Sequence, residues 1–203
     1  MGYQGRHIEG KETRLRLLKA AAELIAAQGY ASTSISQICK AADAKPASLY
    51  WAFGSKEGLL AEVMETQAKT FFDKFEGVVE LGADLDRHIG DFAEIFASQP
   101  EFLRLLLVLS LERRHGEPAI IQAARRVRRK ARAMIGETYK RRLAHLPADR
   151  AEPIVDRLTR MFLMMLDGMF VAQSIDANVP NMHDIFDMIV SSVNAAADRW
   201  AEA

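Results

Sequence analysis

The sequence predicts an all-α chain, and three observations predict it. Apolar residues recur at three- and four-residue spacing through almost every segment. No stretch sustains the alternation of a half-buried strand. The 6 prolines and 12 glycines stand mainly between the apolar runs, where they punctuate helices. About nine helices follow. The second and third are short and those that follow are longer, so the chain divides into an N-terminal three-helix domain, residues 1–56, and a helical body, residues 57–203.

The first helix is expected over Lys11–Gln28, with Leu17, Leu18, Ala21, Leu24 and Ile25 on one face. Gly29 follows in the position of a left-handed cap. Ser34 caps a second, short helix, and Gln37 stands three residues on, which makes a capping box. A turn around Asp43 leads to Pro46, which suits the first position of a third helix. Phe53-Gly54-Ser55 ends that helix, and Ser55 caps a fourth, Lys56 to about Glu76. Long helices are then expected over Asp84–Ala97, Glu101–Arg114, Pro118–Leu143, Pro153–Ile175 and Met182–Trp200. Pro100, the Gly116–Pro118 break, Pro147 and Pro180 separate them.

Composition narrows the function classes. The 203 residues are 49% hydrophobic and 27% charged, the balance of a globular chain rather than a disordered one. A lone cysteine, Cys39, excludes an internal disulfide and a cysteine-rich zinc site, and fits a reducing, cytoplasmic setting; packing in the core is its expected role. No apolar run approaches the ~18 residues that span a bilayer, so no membrane association is expected. His7, His88, His115, His145 and His183 show no metal-ligand spacing, and no nucleophile–base pair or phosphate loop is present. Neither a metal, a cofactor nor an enzymatic activity is expected. The formal charge is zero, but residues 1–56 hold eight Lys/Arg against four Asp/Glu, net +4, which leaves −4 on the body. A basic small domain on an acidic body suits a chain whose N-terminal end meets a polyanion.

The first three helices form a helix-turn-helix unit of homeodomain-like build. The third is short enough for its N-terminal residues to reach base edges in a major groove. It opens with Lys45, Pro46, Ala47 and Ser48, which keep the backbone close to the DNA. Tyr50 and Trp51 can contact phosphate, sugar or thymine methyls, and can equally pack between helices. The amide ends near Thr33 and Ser34, and near Ser55 and Lys56, suit phosphate oxygens.

The stretch from Thr33 to Ala42, followed by Ser48-Leu49-Tyr50-Trp51-Ala52-Phe53-Gly54-Ser55-Lys56-Glu57-Gly58-Leu59-Leu60, resembles the DNA-binding domain of the TetR family of transcriptional repressors. Gln28-Gly29-Tyr30 fits the same pattern. The resemblance covers about Thr13 to Val63. It departs in the inter-helix turn, where Asp43-Ala44-Lys45 replaces the usual Gly and Val-Ser. The resemblance implies phosphate contacts from Thr33 or Ser34, Tyr50 and Lys56. It implies base or groove contacts from Lys45, Pro46, Ala47, Ser48 and Trp51. Leu24, Ile38, Leu49 and Phe53 read as the small domain's core. The expected function is a homodimeric repressor that binds a palindromic operator in double-stranded DNA and is released by a small apolar or amphipathic inducer. A DNA-binding regulator without an inducer is the alternative.

The body carries coarser expectations. Phe71, Phe75, Phe92, Phe96, Phe102, Leu106, Met161 and Met165 line a ligand cavity or fill a core. The helix from Pro153 is apolar nearly all round, so it is expected to be buried on several sides. With the last helix it offers a dimer interface through Phe162, Asp167, Gly168, Phe170, Ile185, Ile189, Val193 and Trp200. Asp167 needs a partner: an Arg of the other subunit is the expected one, and a cationic ligand the alternative. Arg125, Arg126, Arg128, Arg129, Lys130 and Arg132 are scattered around their helix. They read as a solvated face pairing with acidic neighbours rather than a second DNA site.

Overall fold

Helix follows helix in a computed structural model that describes residues 2–80, 89–99, 102–103, 106, 118–178 and 180–202. Eight helices have defined limits: α1 Gly2–Gln28, α2 Ile35–Ala41, α3 Pro46–Phe53, α4 Lys56–Glu80, α5 Ile89–Ala97, α6 Pro118–Arg142, α7 Ala148–Ile175 and α8 Met182–Glu202. Phe102, Leu103 and Leu106 are helical too; the rest of the expected Glu101–Arg114 helix lies outside the described residues. No strand occurs among the described residues.

Three limits differ from those the periodicity suggests. α1 begins at Gly2 rather than Lys11, because helix here continues beyond the apolar stripe that marks it in the sequence. α4 runs through Gly77, which a helix tolerates at a cost of about 1 kcal/mol relative to Ala. α7 begins at Ala148, with Pro153 inside it. Its first turn is closed by the Arg150 and Ala151 N–H groups on the Pro147 carbonyl, at 3.0 and 2.9 Å. Pro153 then removes a single ladder bond in the second turn.

Two compact units divide the chain. The first takes the described residues up to Ala68 together with Pro118–Arg125. In it α1, α2 and α3 pack on one another, with Leu17, Ala21, Ile25, Ile38, Cys39, Ala42 and Leu49 buried. Each such Leu or Ile side chain contributes roughly 1.5–3 kcal/mol by leaving water. Leu59, Leu60, Val63 and Met64 of α4 are also buried, so this unit extends along α4 beyond residue 56.

The second unit runs from Lys69 through the described residues to Phe102, Leu103 and Leu106, and resumes at Arg126. α8 packs on both α5 and α7. Its core is aromatic. Phe71 meets Phe96 edge-on at 4.9 Å and Phe102 at 5.5 Å, while Phe75 meets Phe92 at 4.6 Å. Phe96 also contacts Phe186 at 4.7 Å. None of the described helices is long and apolar enough to cross a membrane.

Candidate nucleic-acid interface

The first unit holds α3 from behind and leaves its front open. Ser34 begins the support. Its hydroxyl accepts the Gln37 N–H at 3.2 Å, while the Gln37 side chain accepts the Ser34 N–H at 2.7 Å, the reciprocal box the sequence predicts. α2 ends at Ala42, and Asp43 turns the chain with φ at 47°, in the left-handed region that Asp tolerates. Pro46 then starts α3. Lys45, at the N-cap, supplies no side-chain bond. The first turn closes through the Ser48 N–H on the Lys45 carbonyl at 2.9 Å.

Leu49 is fully buried and anchors α3. At 100° per residue, Ala47 and Trp51 lie on the opposite face, with Tyr50 beside them. Their exposure follows: Trp51 is 85% and Tyr50 51% accessible, and Lys45, Pro46 and Ala47 are exposed as well. Ser48 is half-buried on the side facing α1. There, Gly10, Thr13, Arg14 and Leu17 of α1 and Ala47, Ser48, Trp51 and Ala52 of α3 line an open groove of about 460 Å³.

Two of the expected phosphate contacts are placed differently. Thr33 is buried. Its hydroxyl donates to the Gly29 carbonyl at 2.8 Å and accepts from Gln28 Nε2 at 3.3 Å, so the side chain holds the loop together. Ser34 is the exposed member of that pair. Lys56 is half-buried. Its ammonium donates to the Tyr30 carbonyl at 2.8 Å and lies 4.0 Å from the centre of the Tyr30 ring, so a phosphate would have to share it. The Tyr30 hydroxyl in turn donates to Glu57 at 2.9 Å. Burial pushes the Glu57 carboxyl up. Its own backbone N–H, the Tyr30 and Ser55 side chains and the Lys56 charge outweigh that and hold it below the usual carboxylate value.

Three supporting residues escape sequence reasoning. Arg14 forks onto Glu62 of α4, its Nη2 at 2.6 Å, and stacks 4.7 Å from the Phe53 ring centre. Arg16 reaches the carbonyls at the end of α2, with Nε 3.0 Å from the Ala42 oxygen. Neither pairing has a local spacing signal, since the partners lie 48 and 26 residues away. Gly58 is the third: a Cβ there would run into the Phe53 carbonyl. Its place in the Ser-Lys-Glu-Gly run is the signal that could have found it.

The second unit sorts the body residues. Phe71, Phe75, Phe92, Phe96 and Phe102 are buried and mostly in ring contact with one another, while Leu106, Met161 and Met165 are half-buried. Phe162, Ile189 and Val193 are buried within the chain; Ile185 and Trp200 are half-buried. Phe170 stacks on Phe96 at 6.0 Å. Asp167 corrects one expectation. Its carboxylate receives both Nη groups of Arg128 of the same chain, at 2.7 and 2.6 Å, so no second subunit is needed to pair it. Lys130 pairs with Glu76 and Arg132 with Asp156, so with Arg128 these members of the basic cluster on α6 face acidic neighbours. α7 keeps an apolar stripe toward solvent: Met164, Gly168, Val171 and Ile175 are exposed at helical spacing, as is Met188 of α8. Within the single chain, then, α7 is buried along Ile154, Val155, Leu158, Phe162, Leu163, Leu166 and Met169 and leaves this one apolar stripe uncovered.

Residues 17–63 match the family model of the bacterial regulatory proteins, tetR family. The HTH-type transcriptional regulator AcrR of Shigella flexneri is 40% identical over 57 residues, and UidR of Escherichia coli K12 is 33% identical over 72. The aligned segments span 28% and 36% of this chain but only 26% and 37% of those relatives. Over the whole fold, a TetR-family transcriptional regulator from Streptomyces coelicolor superposes with a TM-score of 0.68 at 17% identity, covering 94% of this chain and 97% of that one. A TetR-family regulator from Agrobacterium tumefaciens gives 0.70 at 16%, over 90% and 98%.

Proposed function

We propose, from the match of residues 17–63 to the model of the bacterial regulatory proteins, tetR family, that the chain represses transcription by binding a palindromic DNA operator as a homodimer. One observation carries this: α3 turns Lys45, Pro46, Ala47, Tyr50 and Trp51 outward from a buried Leu49, in a domain of net charge +4. Two copies of α3 about one DNA turn apart, ~34–36 Å, would enter successive major grooves. The exposed stripe of Met164, Val171 and Ile175, with Met188, supports a second copy of the chain as the partner of the body.

Fluorescence anisotropy with duplexes from the chain's own promoter region tests the reading. Saturable binding that weakens steeply with salt is expected, and loss of affinity in Trp51→Ala and Tyr50→Ala should follow. An absence of salt-dependent binding would reject it.

Release by a small apolar or amphipathic molecule, bound among Phe71, Phe96, Phe102, Met161 and Met165, completes the proposal and would couple the two binding events reciprocally. The ring contacts among the phenylalanines favour a second reading, in which that region is core and the regulator works without an inducer. A thermal-shift screen of apolar compounds separates the two. A compound that raises Tm and lowers DNA affinity selects the first.

A further inference from the structure

The turn before α3 is held from outside as well as by its own backbone, where the Ala44 N–H meets the Cys39 carbonyl at 2.9 Å. Asp43 carries its Cβ into left-handed backbone, a conformation glycine would adopt without that penalty. The carbonyls of Ala42 and Asp43 lie at the end of α2, where no further turn of helix follows to use them. Both are taken by one side chain. Arg16, on α1, donates Nε to the Ala42 oxygen at 3.0 Å and Nη2 to the Asp43 oxygen at 3.5 Å. The same Nη2 meets the Thr13 hydroxyl at 3.3 Å, which braces the guanidinium against its own helix. Among the described residues Arg16 has no carboxylate partner.

We infer that Arg16 is a positioning residue for DNA recognition: its guanidinium clamps the α2–α3 turn to α1 and so sets the angle at which α3 presents Lys45 to Trp51. The inference rests on the DNA-binding reading above and deepens it. The backbone bonds at the entrance, Ala44 N–H on the Cys39 carbonyl and Ser48 N–H on the Lys45 carbonyl, both at 2.9 Å, are local and do not reach α1. Lys45 makes no side-chain cap, and Leu49 is the one fully buried residue of α3. A planar fork that engages two successive carbonyls restrains rotation of the turn, whereas a lysine ammonium is a point charge that does not fix a plane. The rival role for an exposed arginine in a basic domain is a direct phosphate contact. Salt dependence tells the two apart, because each phosphate contact contributes about 0.9 to the slope of log affinity against log salt.

The test uses full-length protein, promoter-region duplex and anisotropy titrations at several salt concentrations, well below the Tm of each variant. Arg16→Ala should bind roughly tenfold more weakly, the scale of lost hydrogen bonds, with the salt slope unchanged. Arg16→Lys should fall between, having kept the charge and lost the fork. Asp43→Gly in the Arg16→Ala background should recover part of the loss, since glycine adopts the turn without a clamp. Wild-type affinity in Arg16→Ala would overturn the inference. So would a slope shallower by about 0.9 together with full recovery in Arg16→Lys, the signature of a phosphate contact. If the wild-type chain itself binds no duplex, the DNA-binding reading fails and this one with it, an outcome distinct from either result on Arg16.

Discussion

Gly58 offers the sharpest test of how α3 and α4 are joined. It lies in the first turn of α4, directly over the last carbonyl of α3. A Cβ at this position would penetrate the Phe53 carbonyl oxygen, with the Phe53 carbonyl carbon at 3.2 Å and the Ser55 hydroxyl at 3.7 Å. The obstacle is backbone, so no side-chain rotation relieves it. In Gly58→Ala either the end of α3 or the start of α4 must move. Helix propensity pulls the other way, by at most about 1 kcal/mol. Overpacking usually costs ~1–3 kcal/mol, and a backbone clash belongs at the upper end. The net expectation is a loss of about 2 kcal/mol, which for a chain of 203 residues lowers Tm by about 4–8 °C. Thermal unfolding followed by circular dichroism measures it. Because Phe53 closes α3, DNA affinity should fall as well, even where the variant is fully folded. A Gly58→Ala protein with unchanged Tm and unchanged DNA binding would refute the assigned packing.

Four further outcomes follow from the same packing. Gly77→Ala meets nothing within 4 Å and sits inside a helix, so it should gain up to about 1 kcal/mol, read as a small rise in Tm. Ser34→Ala removes the α2 cap and should cost about 1 kcal/mol in urea unfolding. Glu57 is held below its ordinary value of 4.5, so it contributes stability at neutral pH that is lost as pH falls from about 4.5 through the lower folded-state value. Glu57→Gln should flatten that part of the acid limb while leaving the shape of the profile near pH 7 unchanged. Replacing Met164 and Ile175 together by Glu places charge in the exposed stripe of α7 and should shift sedimentation from dimer to monomer; a persistent dimer would exclude that stripe as the interface.

Much of the N-terminal domain was legible because its signals are local. Ser34 with Gln37, Gly29, Pro46 and Ser55 each act within about one turn of chain, and a linear reading captures that range. The outward face of α3 was legible too, since the burial of Leu49 places Trp51 opposite by helical geometry. Thr33 and Lys56 were harder. A hydroxyl and an ammonium look alike whether they face solvent or a carbonyl, and only the fold of residues 28–33 brings their acceptors near. Arg14, Arg16 and Asp167 depend on partners 26 to 48 residues distant, which no periodicity encodes. In the body, an apolar stripe marks a helix but does not say which of two apolar faces turns inward. Phe162 and Ile189 therefore read like Met164 and Ile175, although the first pair is buried and the second exposed.

The one-sided burial of α3 has a consequence for how such a chain can diverge. Pro46, Ala47, Tyr50 and Trp51 are exposed, so this outer face of the helix can be rewritten without dismantling the domain that carries it. On the proposed DNA-binding function, changes that alter which bases are read are thereby separated from changes that threaten folding. A duplicated copy could drift toward a new DNA target through single substitutions, each intermediate remaining a folded protein.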